Sequence, residues 1–182
     1  YEEKKIRCTI KTLNPITQEV SLAVQEQYET NPYPRWVNTR LVGTPKTTNE
    51  LTKELKLNLM DENSFSEQPD ILIAGCGTGQ HAVFTASLFK NSRVVAIDLS
   101  LSSICYAKRK TKELGLTNIE YLQADILDLR MLDRHFDIIE SSGVLHHMAD
   151  PYKGWETLVD CLKPNGLMAI GLYSDTALRE VV

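Results

Sequence analysis

The feature that most constrains this sequence is a glycine-rich turn that follows a short apolar run. The stretch from Asp70 to Gln80 reads DILIAGCGTGQ, and the run HAVFTASLF after it is compatible with a helix. Ile71 to Ala74 suits a strand buried on both faces, since it is continuously apolar and follows a polar, proline-containing linker. A strand, a glycine turn and a helix N-terminus together form a binding corner for a nucleoside-bearing small molecule.

The spacing of the glycines favours one class of nucleoside site over another. Gly75, Gly77 and Gly79 form G-x-G-x-G, whereas the dinucleotide fingerprint is G-x-G-x-x-G. Glycine permits a tight turn and lets the backbone approach a ligand, because there is no Cβ to hold the ligand off. The third dinucleotide position is Gln80 here. A nicotinamide-dependent oxidoreductase is therefore the less favoured interpretation.

Three later apolar runs also lead to polar side chains. RVVAIDLS reaches Asp98, NIEYLQADI reaches Asp125, and FDIIESSGVLHHM passes through Ser141. A carboxylate where Asp98 lies can accept both ribose hydroxyls, in NAD and in S-adenosylmethionine sites alike. The alternative is that Asp98 caps the helix that starts near Ser100. Asp125 is placed to reach an adenine amino group, although Asp128 or a backbone amide could serve instead.

The order of elements predicts the fold class. Strands and helices alternate with short connections, as in an α/β, Rossmann-like, doubly wound, mostly parallel sheet with helices on both faces. The predicted strands are 70–74, 93–97, 118–123, 136–140 and 167–172, and the helical segments are 79–90, 101–114, 128–134 and 152–162. Ligands of such sheets bind at the carboxyl ends of the strands, where the strand order reverses. The glycine turn, Asp98, Asp125 and Ser141 all lie at such ends.

A helical N-terminal extension over residues 1–69 precedes this core, which we assign to 70–182. Alternation in IRCTIKTL predicts a short edge strand. Apolar residues at helical spacing predict a helix from Thr17 to Thr30. A second helix is predicted from Thr48, as its N-cap, to Met60, and the polar linker DENSFSEQP follows it. In the core, Gly166 is the residue expected to adopt a positive φ before the last strand.

Four ordered motifs resemble those of class I S-adenosylmethionine-dependent methyltransferases. They are ILIAGCGTGQ, VVAIDLS, QADILDL and FDIIESSGVLHHMADP, and the match covers roughly residues 70 to 173. The resemblance implies S-adenosyl-L-methionine as cofactor. It places the three glycines beneath the methionine portion, Asp98 at the ribose, and Asp125 with Ile126 around the adenine. The predicted cofactor-binding set also includes Cys76, Leu99 and Ser141.

The N-terminal EQYETNPYPRW resembles a segment, YExNPYPRW, of a subset of these enzymes that are sometimes joined to tetratricopeptide repeats. The two prolines impose an extended, stiff path. Tyr33, Arg35 and Trp36 then lie on a rigid loop, which we interpret as a lid over the cofactor. In that interpretation Arg35 meets the methionine carboxylate or Tyr33 lines the substrate pocket. The alternative is that Trp36 and Tyr33 only pack the N-terminal segment onto the helices of the sheet.

Methyl transfer from a sulfonium mainly requires alignment of the reactants and exclusion of water. A catalytic base is needed only if the nucleophile must lose a proton. The catalytic residues are therefore unknown from the sequence, and His146 is the one weak candidate, beside His147, because an imidazole titrates near neutral pH. The alternative is that one of the two histidines bonds a loop carbonyl and the other is exposed. No metal site is predicted, because the histidines and carboxylates lack metal-ligand spacing.

Composition narrows the classes of partner. The 182 residues fit one domain, and the net charge of −4 includes no long block of either sign. Such a balance gives no support for nucleic-acid or membrane binding. The four cysteines form no CxxC pair, which is typical of free thiols in a reducing compartment. No run approaches the roughly 18 apolar residues of a membrane helix, and the predicted location is cytoplasmic.

Two functions remain open at this point. The first is a methyltransferase that acts on a small-molecule or protein acceptor. The second is a non-catalytic, methyltransferase-like, cofactor-binding module of a larger protein. Tyr1 is not an initiator methionine, and only SDTALREVV follows the last apolar run. We therefore expect an incomplete core from a longer chain, with fused or missing domains.

Overall fold

The computed structural model describes residues 2–59 and 65–172. The predicted end of the second helix at Met60, part of the linker after it, and the stretch from Tyr173 onward lie outside these residues. The helices are α1 (Glu2–Arg7), α2 (Glu19–Thr30), α3 (Thr48–Glu54), α4 (Gln80–Leu88), α5 (Leu101–Glu113) and α6 (Pro151–Asp160). The strands are β1 (Lys11–Thr12), β2 (Asp70–Ala74), β3 (Arg93–Asp98), β4 (Ile119–Gln123), β5 (Phe136–Ser142) and β6 (Leu162–Gly171). Two 3-10 helices cover Ile126–Leu132 and Leu145–His147.

Within the described residues the six strands form one sheet in the order β1-β4-β3-β2-β5-β6. All five strand pairings are parallel. From β2 the chain adds β3 and then β4 on one side, and it returns to add β5 and β6 on the other. The strand order therefore reverses at β2, which is where such sheets open a crevice for ligands. The predicted doubly wound fold is confirmed.

The central strands are apolar throughout because both of their faces are covered. In β2, Leu72 and Ala74 pack into one buried cluster, and Ile71 and Ile73 pack into the cluster on the opposite face. This division follows from the strand geometry, in which successive side chains point to opposite faces. The core thus lies in two layers, and it holds the carboxyl ends of β2, β3 and β5 in a fixed relation.

The short edge strand predicted over IRCTIKTL is present, but it is shorter than the run. It covers Lys11–Thr12 and pairs in parallel with β4 at the edge of the sheet. The residues before it form α1, which packs against α5 and includes the first two residues of the run, Ile6 and Arg7. Glu3 of α1 has a partner on α5, since the Nε of Arg109 lies 3.0 Å from its Oε1.

Two local predictions were wrong by one residue. The N-cap of α3 is Thr47 and not Thr48, because Thr47 and Glu50 form a reciprocal capping box. Asn165, with φ of 62°, adopts the left-handed conformation predicted for Gly166. Asparagine tolerates that conformation better than most residues, so the turn before the last strand segment is still made. Among the residues that the structure describes, no helix has the length and apolarity that a bilayer crossing requires.

Candidate functional site

The structure shows what surrounds each of the three glycines in the turn after β2. Gly75, Gly77 and Gly79 have φ values of 80°, 51° and 83°, a region that L-residues with side chains rarely adopt. A Cβ on Gly75 would lie 2.3 Å from a methyl of Val144, and one on Gly79 would lie 2.5 Å from the Cβ of Ala107. At Gly77 the nearest atom would be 3.7 Å away. Two glycines thus permit close packing, and Gly77 lines the cavity with its backbone.

Asp98, at the end of β3, accepts backbone hydrogen bonds on both carboxylate oxygens. Gly77 N donates to Oδ2 at 2.7 Å, and Ser100 N donates to Oδ1 at 2.9 Å. Desolvation raises the pKa of Asp98, and the backbone donors only partly offset it. The cap of α5 is Ser100, whose hydroxyl accepts from Ser103 N. Asp98 therefore joins the glycine turn to the start of α5 without being the helix cap.

Asp125 follows β4 and is 4% exposed. Its Oδ1 accepts from Leu127 N at 3.0 Å. Its Oδ2 is buried and has no hydrogen-bond partner among the described residues. A buried acceptor without a partner is unfavourable by about 1–3 kcal/mol, so a ligand donor at this position would be stabilising.

These groups surround a cavity of about 510 Å³ at the carboxyl ends of the strands. Of the predicted cofactor-binding residues, those that line it are Gly75, Cys76, Gly77, Asp98, Leu99, Asp125 and Ile126. Gly79 and Ser141 do not line it. Ser141 is buried, and the next two residues, Ser142 and Gly143, reach the cavity in its place. The side chain that follows the fourth predicted strand is therefore displaced by one position from the expectation.

The predicted lid loop is tied to the glycine turn. The indole Nε1 of Trp36 donates to the carbonyl of Thr78, and the hydroxyl of Thr78 donates to the carbonyl of Pro34. Trp36 is buried, while Tyr33 is 73% exposed and lines the cavity together with Pro34. Arg35 is exposed and does not line the cavity. The loop thus combines a packing residue, Trp36, and a residue that lines the cavity, Tyr33.

Helix α2 covers one side of the cavity through Ser21, Val24 and Tyr28. It is fixed there by Gln25, which donates to the carbonyl of Leu99 at 3.1 Å. It is fixed also by Glu29, whose Oε2 accepts from the hydroxyl of Ser100 and the amide of Ser102. Sequence periodicity predicted this helix, but it did not predict which face of α2 meets the ligand corner.

An imidazole and a carboxylate that the sequence did not connect also meet at the cavity. The Nε2 of His81 lies 2.9 Å from the Oε2 of Glu140, and Thr85 Oγ1 donates to the same oxygen at 2.7 Å. His81 lines the cavity. The hydrogen bond to Glu140 raises the pKa of His81, against the opposing effect of burial. No sequence signal links α4 to β5 here, because the contact depends on the strand order.

The predicted catalytic candidate, His146, does not line the cavity, whereas its neighbour His147 does. The two rings lie 4.1 Å apart between centroids. Burial lowers the pKa of His146, and the neighbouring imidazole of His147 lowers it further. Within residues 2–59 and 65–172, no three histidine, cysteine, aspartate or glutamate side chains form a group that could hold a metal ion.

The family model described as "Methyltransferase domain" matches residues 71–166. An uncharacterised protein from Synechococcus sp., syc1184_c, is 34% identical over 63% of this chain and 28% of its own length. (S)-coclaurine N-methyltransferase from Papaver somniferum is 30% identical over 61% of this chain and 31% of its own length. The chain therefore spans less than a third of these two relatives. PKMT2 from Rickettsia typhi, solved in complex with AdoHcy, is 30% identical over 56% of this chain and 20% of that one, with a TM-score of 0.52.

The residues present fit S-adenosylmethionine. The backbone of Gly77, the carboxylate of Asp98 and the unpaired Oδ2 of Asp125 lie around one cavity, at the strand ends where nucleosides bind. The hydrogen-bond donors of a ribose and an adenine amino group complement these acceptors. The chain thus belongs to the methyltransferase domain family, with the class I fold of the S-adenosylmethionine-dependent enzymes.

Proposed function

We propose that this chain forms the S-adenosylmethionine-binding part of a methyltransferase that acts on a small-molecule or protein acceptor. The observation that carries the proposal is the unpaired, buried Oδ2 of Asp125, in the same cavity as Asp98 and the glycine turn. A buried acceptor of this kind is satisfied by a ligand donor, and an adenine amino group is such a donor.

The carboxylate of Asp98 is assigned to the ribose. Each of its oxygens accepts one backbone hydrogen bond, and a carboxylate oxygen has two acceptor sites. Capacity therefore remains for both ribose hydroxyls. We assign Gly75, Cys76 and Gly77 to the methionine portion, since they line the cavity directly after β2.

S-adenosylmethionine supplies an activated methyl group on its sulfonium. The protein then has to hold the acceptor in line with that methyl and exclude water. α2 and Tyr33 border the cavity from outside the strand ends, and this position supports a lid role for the N-terminal residues 1–69 over the core at 70–182. We also propose that the NPYPRW loop of this N-terminal segment marks the chain as a member of the subset of these enzymes that carry YExNPYPRW. Members of that subset are sometimes joined to tetratricopeptide repeats.

No residue is assigned as the catalytic base. The lowered pKa of His146 favours the neutral imidazole, which is the form that accepts a proton, but the ring does not line the cavity. His146 as a base is therefore kept only as a proposal for acceptors that must lose a proton. We further propose a cytoplasmic location and fused domains in the whole protein. The near-balanced charge of the sequence, −4 overall, supports neither membrane nor nucleic acid as a partner.

Calorimetric binding of S-adenosylhomocysteine, with NADH as the comparison ligand, tests the proposal. We expect S-adenosylhomocysteine to bind with a micromolar Kd and NADH not to bind. Binding of NADH alone would favour an oxidoreductase. Binding of neither would favour a methyltransferase-like fold that is kept for its shape. After a positive result, methylation of any acceptor in a panel would separate an enzyme from a non-catalytic module.

A further inference from the structure

The aspartates and the histidines that line the cavity lie on different sides of it. Asp98 ends β3 and Asp125 follows β4, and these strands lie on one side of β2. On the other side lie His147, which follows β5, and His81, which contacts Glu140 of β5. No lysine or arginine of the described residues lines the cavity. The lining side chains that could carry a positive charge are therefore imidazoles, and they lie opposite the two carboxylates.

Of these two imidazoles, His81 is the one held in place by a carboxylate. Glu140 has a side chain only 15% exposed, and Oε2 is fixed by the Thr85 hydroxyl as well as by His81 Nε2. The Nδ1 of His81 has no hydrogen-bond partner within the described part of the chain. An imidazole with one nitrogen bound to a carboxylate and the other available can bind a second anionic group.

The charge state of the pair suits this role. The hydrogen bond to Glu140 raises the pKa of His81. The imidazolium form is therefore more populated near neutral pH than it is for an unperturbed histidine. A protonated imidazole donates charge-assisted hydrogen bonds, which are shorter and stronger than neutral ones.

We propose that His81, held by Glu140, binds the α-carboxylate of the amino-acid portion of the ligand. This inference rests on the proposed function, and it follows from the position of the two acids. If adenine and ribose lie at Asp125 and Asp98, an amino acid attached to the ribose extends past the glycine turn toward β5. His81 lies on that side, whereas Arg35, the partner expected from the sequence, is exposed and outside the cavity.

The test compares two ligands that differ by the amino-acid portion. S-adenosylhomocysteine carries the carboxylate, and 5′-deoxy-5′-methylthioadenosine lacks it. We expect His81→Gln to weaken the binding of S-adenosylhomocysteine about tenfold or more, as for loss of a hydrogen bond to a charged group. The affinity for methylthioadenosine should change by less than about twofold. Glutamine still offers a donor to Glu140. The matched control is His135→Gln, since His135 is exposed and does not line the cavity.

A second variant keeps the test informative if His81→Gln unfolds. Glu140→Gln keeps an oxygen that can accept from Thr85, but it removes the charge that supports the imidazolium. It should therefore also weaken the binding of S-adenosylhomocysteine more than the binding of methylthioadenosine. Unchanged S-adenosylhomocysteine affinity in both variants, or equal losses for both ligands, would overturn the inference and leave the proposed function standing. If the unsubstituted chain bound methylthioadenosine but not S-adenosylhomocysteine, the inference would also be overturned. Failure to bind either ligand would overturn the proposed function as well.

Discussion

The indole Nε1 of Trp36 donates a 2.9 Å hydrogen bond to the backbone carbonyl of Thr78. Through this bond the N-terminal loop is attached to the second half of the glycine turn, far away in sequence. Lys110 lies over the same indole, with its Nζ 5.2 Å from the ring centroid. The loop and the turn therefore hold each other in position at the mouth of the cavity.

Trp36→Phe removes the bond and leaves a smaller aromatic ring. It should lower the free energy of unfolding by at least about 1 kcal/mol, because the carbonyl of Thr78 loses its donor in a buried place and the smaller ring leaves space there. The substitution should also weaken the binding of S-adenosylhomocysteine, since the loop borders the cavity. Urea denaturation and calorimetry measure the two effects. Trp155→Phe is the control, because Trp155 is 39% exposed. Equal stability of the two variants would contradict the anchoring role.

Asp98→Ala tests the ribose assignment. The affinity for S-adenosylhomocysteine should fall at least about tenfold, because charged acceptors of hydrogen bonds contribute about 1.5–3 kcal/mol. Asp160→Ala removes an exposed carboxylate that pairs with Arg130 away from the cavity, and it should change the affinity less than about twofold. Calorimetry at one pH gives both values. An Asp98→Ala protein with unchanged affinity would end the assignment.

The pKa of His81 should lie above 6.5, and an NMR titration of its ring protons can measure it. Since the folded state binds this proton more tightly than the unfolded state, the stabilisation is fully present below pH 6.5. It is lost as the pH rises through the folded-state pKa. Glu140→Gln should lower that pKa and flatten this part of the stability curve. An identical titration in the variant would refute the role of Glu140.

Gly75→Ala should destabilise the fold by about 2 kcal/mol or more, from the positive φ and the contact with Val144. Gly43→Ala is the matched control, since a Cβ there meets nothing within 4 Å. That change should be neutral or slightly stabilising, by about 0.4–1 kcal/mol. Thermal unfolding followed by circular dichroism distinguishes the two. Similar midpoints would show that the turn adapts to a side chain.

The central strands were predictable to within a few residues because their signal is local. Each is an apolar run between turn residues. Because β2 and β3 are buried on both faces, their sequences are continuously apolar and do not alternate between apolar and polar residues. Their carboxyl ends then brought Asp98 and Asp125 to one cavity, as expected. This agreement required no knowledge of side-chain contacts.

The remaining features depend on contacts between distant segments. The pairing of His81 with Glu140 follows from β5 lying beside β2, which no local pattern encodes. The edge strand predicted from Ile6 onward is limited to Lys11–Thr12, since α1 extends to Arg7 and its charges meet partners on α5. The one-residue difference between Ser141 and Ser142 at the cavity depends on where β5 ends, and strand ends are weakly marked in sequence.

The carboxylate of Glu29 has two roles at once. It belongs to α2, which covers the cavity, and its Oε2 accepts from the Ser100 hydroxyl and from the Ser102 amide in the first turn of α5. If α2 moved away to admit a ligand, that turn would lose an acceptor. A movement of α2 of this kind would therefore lower the local stability of the first turn of α5, on the opposite side of Asp98 from the glycine turn.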